Sequence, residues 1–349
     1  MRAFFRSLVI LLLLLIAVAG KAQFAPDSLF DKVEIDKIFI VGNKVTKDRI
    51  ILREVDFKPG DVLTKEELGV YLQRIEEKIF NTNLFNKVTI DLVELSPEKV
   101  DVLIKVSERW YFFPIPQLRL VDRNFNDWWV NQNHDLSRLE YGVKLYHYNM
   151  RGRNERLTLN IQFGFTKQFG FRYTMPYLDV KQRSGIEFGA SYSEQTNVAF
   201  QTIDHKQKFL DLQTVARRRY AAVLGYTFRK SFFDFHGVQL NFRDTQVADS
   251  VATLNPNYFG DSRTRQQYFQ LTYSYIRDFR DVVAYPTKGY KLQITVAKNG
   301  LGIFDDINQL NLRASYVNYF DLGKNFFASN FTSGYVNLAE NQPYANYQG

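Results

Sequence analysis

The residue types that most often catalyse reactions or bind metals are few and scattered in this sequence. It contains no cysteine and four histidines, which are His134, His147, His205 and His236. No two histidines stand at the spacing of a zinc site. The chain also lacks a Gly-x-Ser-x-Gly nucleophile elbow and a glycine-rich phosphate loop before a helix. The sequence therefore predicts no metal, no cofactor and no enzyme, although a catalytic carboxylate pair can be recognised only from its geometry.

The chemistry that the sequence does favour is backbone pairing between strands. Residues 156–166 alternate apolar and polar side chains, and the apolar set is Leu157, Leu159, Ile161, Phe163 and Phe165. A period of two predicts a strand. The run is about as long as a tilted strand that crosses the hydrocarbon core of a bilayer, and its small polar side suits a water-filled lumen. Because similar runs recur towards the C-terminus, the sequence predicts an antiparallel transmembrane β-barrel.

Composition agrees with a barrel and narrows the partners. Of the 349 residues 16% are aromatic, with 31 Phe and 21 Tyr, which fits aromatic girdles at two membrane interfaces. The mean hydropathy of −0.29 argues against a helical membrane protein. The net charge of +8 suits either nucleic acid or an anionic membrane surface. Since the positive residues are scattered rather than clustered, we expect a membrane and no nucleic acid.

The N-terminus has the pattern of a secretory signal peptide. Arg2 and Arg6 precede an apolar run at residues 8–19, and Gly20-Lys21-Ala22 offers a small-x-small cleavage site before Gln23. The alternative is a membrane anchor, but the run of about a dozen residues is shorter than the ~20 that a spanning helix needs. We therefore expect residues 1–22 to be removed.

Residues 32–110 predict a small α+β domain. Val33–Val41 alternates as a strand, Thr46–Val55 carries a short helical pattern, and Thr64-Lys-Glu-Glu67 forms a capping box for a second helix. The apolar face of that helix is Leu68, Leu72, Ile75 and Ile79. Two further strands follow, around residues 88–92 and 100–106. The predicted order is β-α-α-β-β.

This order and its motifs resemble a POTRA domain of the BamA/TamA family of outer-membrane assembly and translocation factors. The motifs are Ile40-Val-Gly-Asn43, Gly60-Asp61, Asn83-Leu-Phe85 with Val88, and Val106-Ser-Glu-Arg109. The resemblance implies that an unfolded client adds as a strand to the edge of the domain's sheet. On that analogy the client-binding edge carries Val88, Ile90 and Leu92. Family members often have several POTRA units, whereas this chain has room for one.

The remaining residues, 111–349, predict about twelve barrel strands. Trp110–Phe113 and the Pro114-x-Pro116 segment suggest an aromatic anchor beside a rigid turn, with the first barrel strand after Pro116. A turn is predicted at residues 217–219, and residues 255–265 predict a long polar loop on the extracellular side.

A second family motif lies between two of these strands. The run from Arg277 to Gly289 resembles a segment that joins two strands in the family's barrel. The residues that carry this likeness are Asp278, Arg280, Asp281, Pro286 and Gly289. From the residues alone it would be a turn with a solvated cluster of ion pairs.

The C-terminal end suggests a fragment of a longer barrel. The resembling family uses about sixteen strands, an even number as bacterial single-chain barrels require. The chain stops at Gly349 within a predicted loop. The Arg-Gly-Phe or Arg-Gly-Tyr motif that the family places in the barrel lumen does not occur in residues 1–349. We therefore expect the last strands and this motif to be missing here.

Together these patterns predict a signal peptide (1–22), a POTRA domain (32–110) and an incomplete outer-membrane barrel (111–349). The expected function is insertion or translocation of protein at the outer membrane of a Gram-negative bacterium, with the POTRA domain in the periplasm. Expected partners are membrane lipid, unfolded outer-membrane or secreted clients, and periplasmic accessory proteins. The alternative is a passive or gated channel, but a simple channel needs no client-binding sheet.

Overall fold

The computed structural model describes residues 32–121, 124–131, 133–179, 181–204, 206–323, 326–339 and 342–346. The predicted signal peptide lies outside these ranges. The chain divides into two compact units. The first contains the segments up to Val41, 56–74 and 90–105, and the second contains 42–55, 75–89 and everything from 106 onward.

The amino-terminal region is an α+β fold around a four-stranded sheet. Its elements are β1 (Lys32–Val41), α1 (Asp48–Leu52), β2 (Val62–Thr64), α2 (Lys65–Phe80), β3 (Phe85–Ser96) and β4 (Lys99–Glu108). The strand order is β2-β1-β4-β3, with β1 antiparallel to β2 and parallel to β4. The sheet therefore has β2 and β3 as its two edge strands.

The predicted elements of this region are confirmed, with one addition. The sequence did not predict β2, because three residues are too few to show an alternating pattern. The capping box is present. The Thr64 backbone N–H donates to Glu67 Oε2 (3.0 Å), and the Glu67 N–H donates to Thr64 Oγ1 (3.2 Å). On α2, Leu68, Ile75 and Ile79 are buried and Leu72 is half-buried, so the predicted apolar face is the one that packs. None of the helices in the described residues is long and apolar enough to span a bilayer.

The rest of the described chain forms mostly long antiparallel strands. Their bounds are β5 (Phe112–Leu120), β6 (Leu139–Tyr148), β7 (Arg156–Gly164), β8 (Thr166–Met175), β9 (Ser184–Gln195), β10 (Asn197–Ile203), β11 (Lys206–Asp211), β12 (Arg217–Arg229), β13 (Asp234–Val247), β14 (Arg265–Asp278), β15 (Gly289–Asn299), β16 (Gln309–Gly323) and β17 (Phe326–Leu338). A short helix, α3 (Asp249–Leu254), follows β13. Irregular helical turns occupy Asp127–Asn131, Leu136–Arg138 and Tyr344–Asn346.

Within the described ranges, eleven of these strands form one antiparallel sheet. Its order is sequential, from β5 through β9 and then β12 through β17. The other two strands, β10 and β11, form a separate hairpin between β9 and β12. The predicted turn at residues 217–219 is wrong, because these three arginines begin β12 and pair with β9 and β13. The large sheet and the hairpin together contain thirteen strands in the described residues, compared with about twelve predicted.

The two faces of the large sheet differ in chemistry. A row of directly paired residues on one face is apolar: Leu157, Tyr173, Phe188, Leu224, Leu240 and Leu271. The adjacent row on the opposite face is mostly polar, with Val223 as its apolar member: Thr158, Arg172, Gly189, Val223, Asn241, Gln270 and Asn299. This face also holds ion pairs such as Arg172–Glu187 at 2.6 Å. The arrangement is that of a sheet with lipid on one side and water on the other.

Residues 255–264 form a loop as predicted, but the loop is not polar throughout. Tyr258 and Phe259 are buried there, at 2% and 1% exposure. They pack in a small apolar cluster with Val198 of the hairpin, Ala216 before β12, Val247 at the end of β13 and Val251 of α3. Most residues of this segment are polar, but its two aromatic side chains are buried because neighbouring elements form an apolar cluster around them.

The alternation on β7 gives a test of the two faces. Ile161 pairs with Val143 and Phe169, whereas Asn160 pairs with Lys144 and Gly170. Arginine at Ile161 should lower the free energy of unfolding by about 2–4 kcal/mol, because the charge would enter lipid, and arginine at Asn160 should cost far less. Urea unfolding from lipid vesicles measures both values. Equal costs would show that the assignment of faces is wrong.

Candidate functional site

Strand β3 carries the three residues expected to bind a client strand. Val88, Ile90 and Leu92 lie at alternate positions, so their side chains share one face. Val88 is buried at 4% exposure, Ile90 is half-buried and Leu92 is 40% exposed. Since β3 ends the strand order of its sheet, an added strand would pair with its backbone. Val88 would then support the edge from the core rather than contact the client.

One of the two edge strands of the large sheet is β5, and its prolines lie within the strand. Pro114 pairs with Leu145 and Pro116 with Val143. The prediction of a rigid turn here, with the first strand after Pro116, is therefore wrong. Proline is tolerated in a strand where its missing N–H would point away from the neighbouring strand.

The register shows that both prolines meet this condition. The Tyr148 N–H donates to the Tyr111 carbonyl and the Val121 N–H donates to the Arg138 carbonyl. Odd-numbered residues of β5 therefore exchange bonds with β6, and even-numbered residues face the outer edge. Pro114 and Pro116 consequently cost no bond to β6, but they remove two donors from the outer edge.

The aromatic residue before the strand blunts the same edge further. The Trp110 indole N–H donates to the Phe112 carbonyl, which is an outward-facing acceptor of β5. The half of the outer edge from Phe112 to Pro116 therefore offers fewer hydrogen-bonding groups than the half at Leu118 and Leu120. A partner strand can form a regular ladder only with the latter half.

The family motif forms the turn between β14 and β15. Asp278 and Arg280 make a bidentate ion pair, with Nε–Oδ1 at 2.8 Å and Nη2–Oδ2 at 2.7 Å. Both side chains are largely buried, at 16% and 12% exposure, so the pair is not the solvated cluster that the residue types suggest. Arg280 also donates to the Val283 carbonyl at 3.3 Å, which fixes the shape of the turn.

Asp281 closes the same turn. Its carboxylate accepts bonds from the Thr287 N–H (3.0 Å), the Thr287 hydroxyl (2.6 Å) and the Lys288 N–H (3.3 Å). Although burial acts to raise it, these bonds hold the pKa of Asp281 below its usual value. Their stabilising effect is therefore present at neutral pH and is lost only as the pH falls through that lowered pKa.

Gly289 and Pro286 complete the motif. Gly289 has φ of +97°, and a Cβ atom there would lie 2.1 Å from the Phe279 carbonyl oxygen. Only glycine fits this position without moving the backbone. Pro286 is half-buried in the turn, directly before Thr287.

The turn is held from outside by Asn81, which follows α2. The Asn81 side-chain amide donates to the Asp281 carbonyl (2.7 Å), and its oxygen accepts from the Val283 N–H (2.9 Å). One side chain thus bonds both a donor and an acceptor of the motif. Nothing in the sequence indicates this contact, because the residues are about 200 positions apart.

A second contact of this kind centres on Thr46. Its hydroxyl donates to Glu108 Oε1 (2.5 Å) and accepts from the buried Asn149 amide (2.8 Å). The Tyr111 hydroxyl lies 3.1 Å from the Thr46 hydroxyl and bonds the Leu84 carbonyl at 2.9 Å. Burial raises the pKa of the Tyr111 phenol. Segments 42–55 and 75–89 are thereby fixed to strand ends and turns of the large sheet within the second unit.

Two family models match the chain. The model described as "Surface antigen variable number repeat", or POTRA, matches residues 33–109. The "Omp85 superfamily domain" model matches residues 149–348, which is more than half of the chain. The chain belongs to the Omp85 superfamily. As a member it is an outer-membrane protein, and its POTRA module lies in the periplasm.

Individual relatives match this Omp85 chain over part of their length. The outer membrane protein assembly factor BamA of Nitratidesulfovibrio vulgaris is 34% identical over 79 residues, which are 22% of this chain and 10% of that protein. BamA of Haemophilus ducreyi lacking POTRA domains 1–3 has a crystal structure with 17% identity and a TM-score of 0.49, covering 88% of this chain and 56% of that one. The structure of CdiB from Acinetobacter baumannii has 11% sequence identity and a TM-score of 0.47, and the match covers 89% of this chain and 53% of that one. The chain thus spans little more than half of these solved structures.

The Asn81 contact in this Omp85 chain is testable by one change of atom type. In Asn81→Asp the carboxylate still accepts from Val283, but it cannot donate to the Asp281 carbonyl and two acceptors then face each other. The variant should lose about 1–3 kcal/mol of unfolding free energy, measured by urea unfolding in detergent micelles. Asn86→Asp is the matched control, since Asn86 is exposed with one long bond of 3.5 Å. Equal stabilities of the two variants would contradict a structural role for Asn81.

Proposed function

We propose that this Omp85 protein inserts or translocates other proteins at the outer membrane by strand pairing, without covalent chemistry. The observation that carries the proposal is the exposed outer edge of β3 in the POTRA region. A strand edge binds an extended chain through main-chain bonds, so it accepts clients of different sequence. The clients would be unfolded outer-membrane or secreted proteins, and periplasmic accessory proteins would deliver them.

The second step of the proposal takes place at the edge of β5. An incoming strand would pair with the half at Leu118 and Leu120, where both N–H and C=O groups face outward. The prolines keep the other half from forming a permanent ladder, in the way that edge strands are commonly protected. Such an edge can be occupied and released again, as templating of successive client strands requires.

The first step is tested by proline at Ile90, on the β3 edge. A photoreactive residue at Leu92 reports client binding, with a purified unfolded outer-membrane protein as the client. Ile90→Pro should lower crosslinking because proline removes a donor and cannot continue a paired strand. Val62→Pro is the control, since β2 is the opposite edge of the same sheet and the Val62 N–H faces outward.

A charge at the client edge complements this test without altering the backbone of β3. Val93→Glu changes an exposed residue, at 45% exposure, and should also lower crosslinking of an apolar client. Heat-modifiability on gels checks that the large sheet is folded. Unchanged crosslinking in both the Ile90→Pro and Val93→Glu variants would rule out capture at β3.

The second step is tested by restoring the missing donors. The double variant Pro114→Ala, Pro116→Ala adds two N–H groups to the outer edge of β5. Two added bonds at about 0.5–1.5 kcal/mol each should strengthen the binding of a strand to this edge about fivefold or more. Because a bound strand then leaves more slowly, client insertion into vesicles should slow by a similar factor. Ile115→Ala is the control, because its N–H faces β6. Insertion as fast as in the parent would exclude this role for the prolines.

A further inference from the structure

A cavity of about 310 Å³ lies within the second unit, where strand ends of the large sheet meet segments 42–55 and 75–89. Its walls include Glu54 after α1, Asn81 after α2, and the ends of β7, β12 and β14. None of the steps proposed above uses it.

The cavity wall is strongly positive. Six cationic side chains line it: Arg53, Lys78, Arg156, Arg183, Arg229 and Arg280. Its carboxylates are Glu54 and Asp278, which leaves a surplus of four positive charges. The whole chain has a net charge of +8, so a large share of its imbalance is concentrated here.

The two carboxylates are already used by some of these cations. Asp278 is bound on both oxygens by Arg280. Glu54, which is 2% exposed, is shared between Arg229 (3.0 Å) and Arg53 (3.3 Å). One carboxylate cannot neutralise two guanidinium groups. Burial, and to a smaller extent the nearby charge of Arg229, lower the pKa of Arg53.

Two further arginines face solvent at the same cavity. Arg156 and Arg183 are exposed, and neither has a carboxylate within 4.0 Å among the described residues. The Arg183 guanidinium lies 6.0 Å from the centre of the Phe228 ring. These two charges are therefore available to a ligand that enters from water.

The walls also present aromatic surface beside the cations. Phe232, Phe233, Phe235 and Tyr177 line the cavity, with Lys78 3.5 Å from the Phe232 ring centre and Arg53 4.4 Å from that of Tyr177. A ligand that combines carboxylates with apolar groups fits this mixture. Phosphate matches only the charge.

The cavity opens on the polar face of the sheet. Arg156 lies on the same face as Thr158, and Arg229 lies on the same face as Val223 in the polar row. A polypeptide that moves along the polar face of the sheet from the strand ends at segments 42–55 and 75–89 would pass these side chains.

We propose that this cavity binds acidic segments of extended polypeptides, an inference that rests on the proposed handling of protein clients. Arg156 and Arg183 attract the carboxylates of the segment, and the aromatic walls contact its apolar side chains. Charged groups of this kind steer association and select among partners. Clients with an acidic stretch would therefore be preferred over neutral or basic ones.

The test uses the purified protein in lipid nanodiscs and three labelled ten-residue peptides that alternate Leu with Asp, Asn or Lys. Fluorescence anisotropy should show the Asp peptide binding about tenfold or more tightly than the Asn peptide, with the difference shrinking as salt is raised. The double variant Arg156→Ala, Arg183→Ala should abolish this preference. Arg313→Ala, which removes an arginine outside the cavity, should keep it.

The possible outcomes separate this inference from the proposed function. Equal binding of the Asp and Asn peptides, or a preference that survives loss of Arg156 and Arg183, overturns the acidic-segment site. Inorganic phosphate that binds as tightly as the Asp peptide also overturns it, in favour of a phosphate site. Client crosslinking at Leu92 is measured on the same preparations. Crosslinking without peptide preference refutes only the cavity, whereas peptide preference without crosslinking refutes only capture at β3.

Discussion

The constraint on which this structure depends is that backbone N–H and C=O groups must find partners. Within the large sheet each inner strand is bonded on both sides, and in lipid an unpaired group would cost several kcal/mol. The exceptions are the edge strands, which are β5 and β17 in the large sheet and β2 and β3 in the four-stranded sheet. The proposed function relies on β3 and β5. At β5 the chain limits the exposed groups with Pro114, Pro116 and the Trp110 indole. An edge that is partly blocked can pair with a partner and separate from it again.

The contacts of segments 42–55 and 75–89 with the turns of the large sheet fix the positions of these segments. Thr46 and Asn149, and Asn81 with the Asp281 turn, are joined by short hydrogen bonds between polar groups rather than by an apolar interface. Hydrogen bonds are directional, so they fix geometry more strictly than area burial does. The turn formed by the family motif therefore binds Asn81, which follows α2. Its ion pair holds the turn in the shape that Asn81 fits.

Charge is distributed unevenly around these contacts. Six of the 45 lysine and arginine side chains line the cavity at one end of the large sheet, where Glu54 is shared by two arginines. Elsewhere on the polar face, ion pairs such as Arg172–Glu187 balance, but Arg217, Arg219 and Arg243 form a second group of cations there. Because Arg156 and Arg183 are exposed and form no ion pair among the described residues, a ligand explains this local excess better than fold stability does.

The sequence by itself determined most of the strands, the helix α2 with its capping box, and the family, because these depend on local periodicity and short motifs. Side chains on β7 alternate in the sequence and therefore alternate in space. The sequence did not show that the prolines of β5 lie within a strand, that Tyr258 and Phe259 are buried, or what Asn81 binds. Each of these depends on what lies beside the segment. Proline is tolerated in β5 because no strand pairs with its outer edge, and Tyr258 and Phe259 are buried because the hairpin packs against their loop. The partners of Asn81 lie in a turn about 200 residues away. Only the tertiary structure brings those neighbours together, since no local pattern records them.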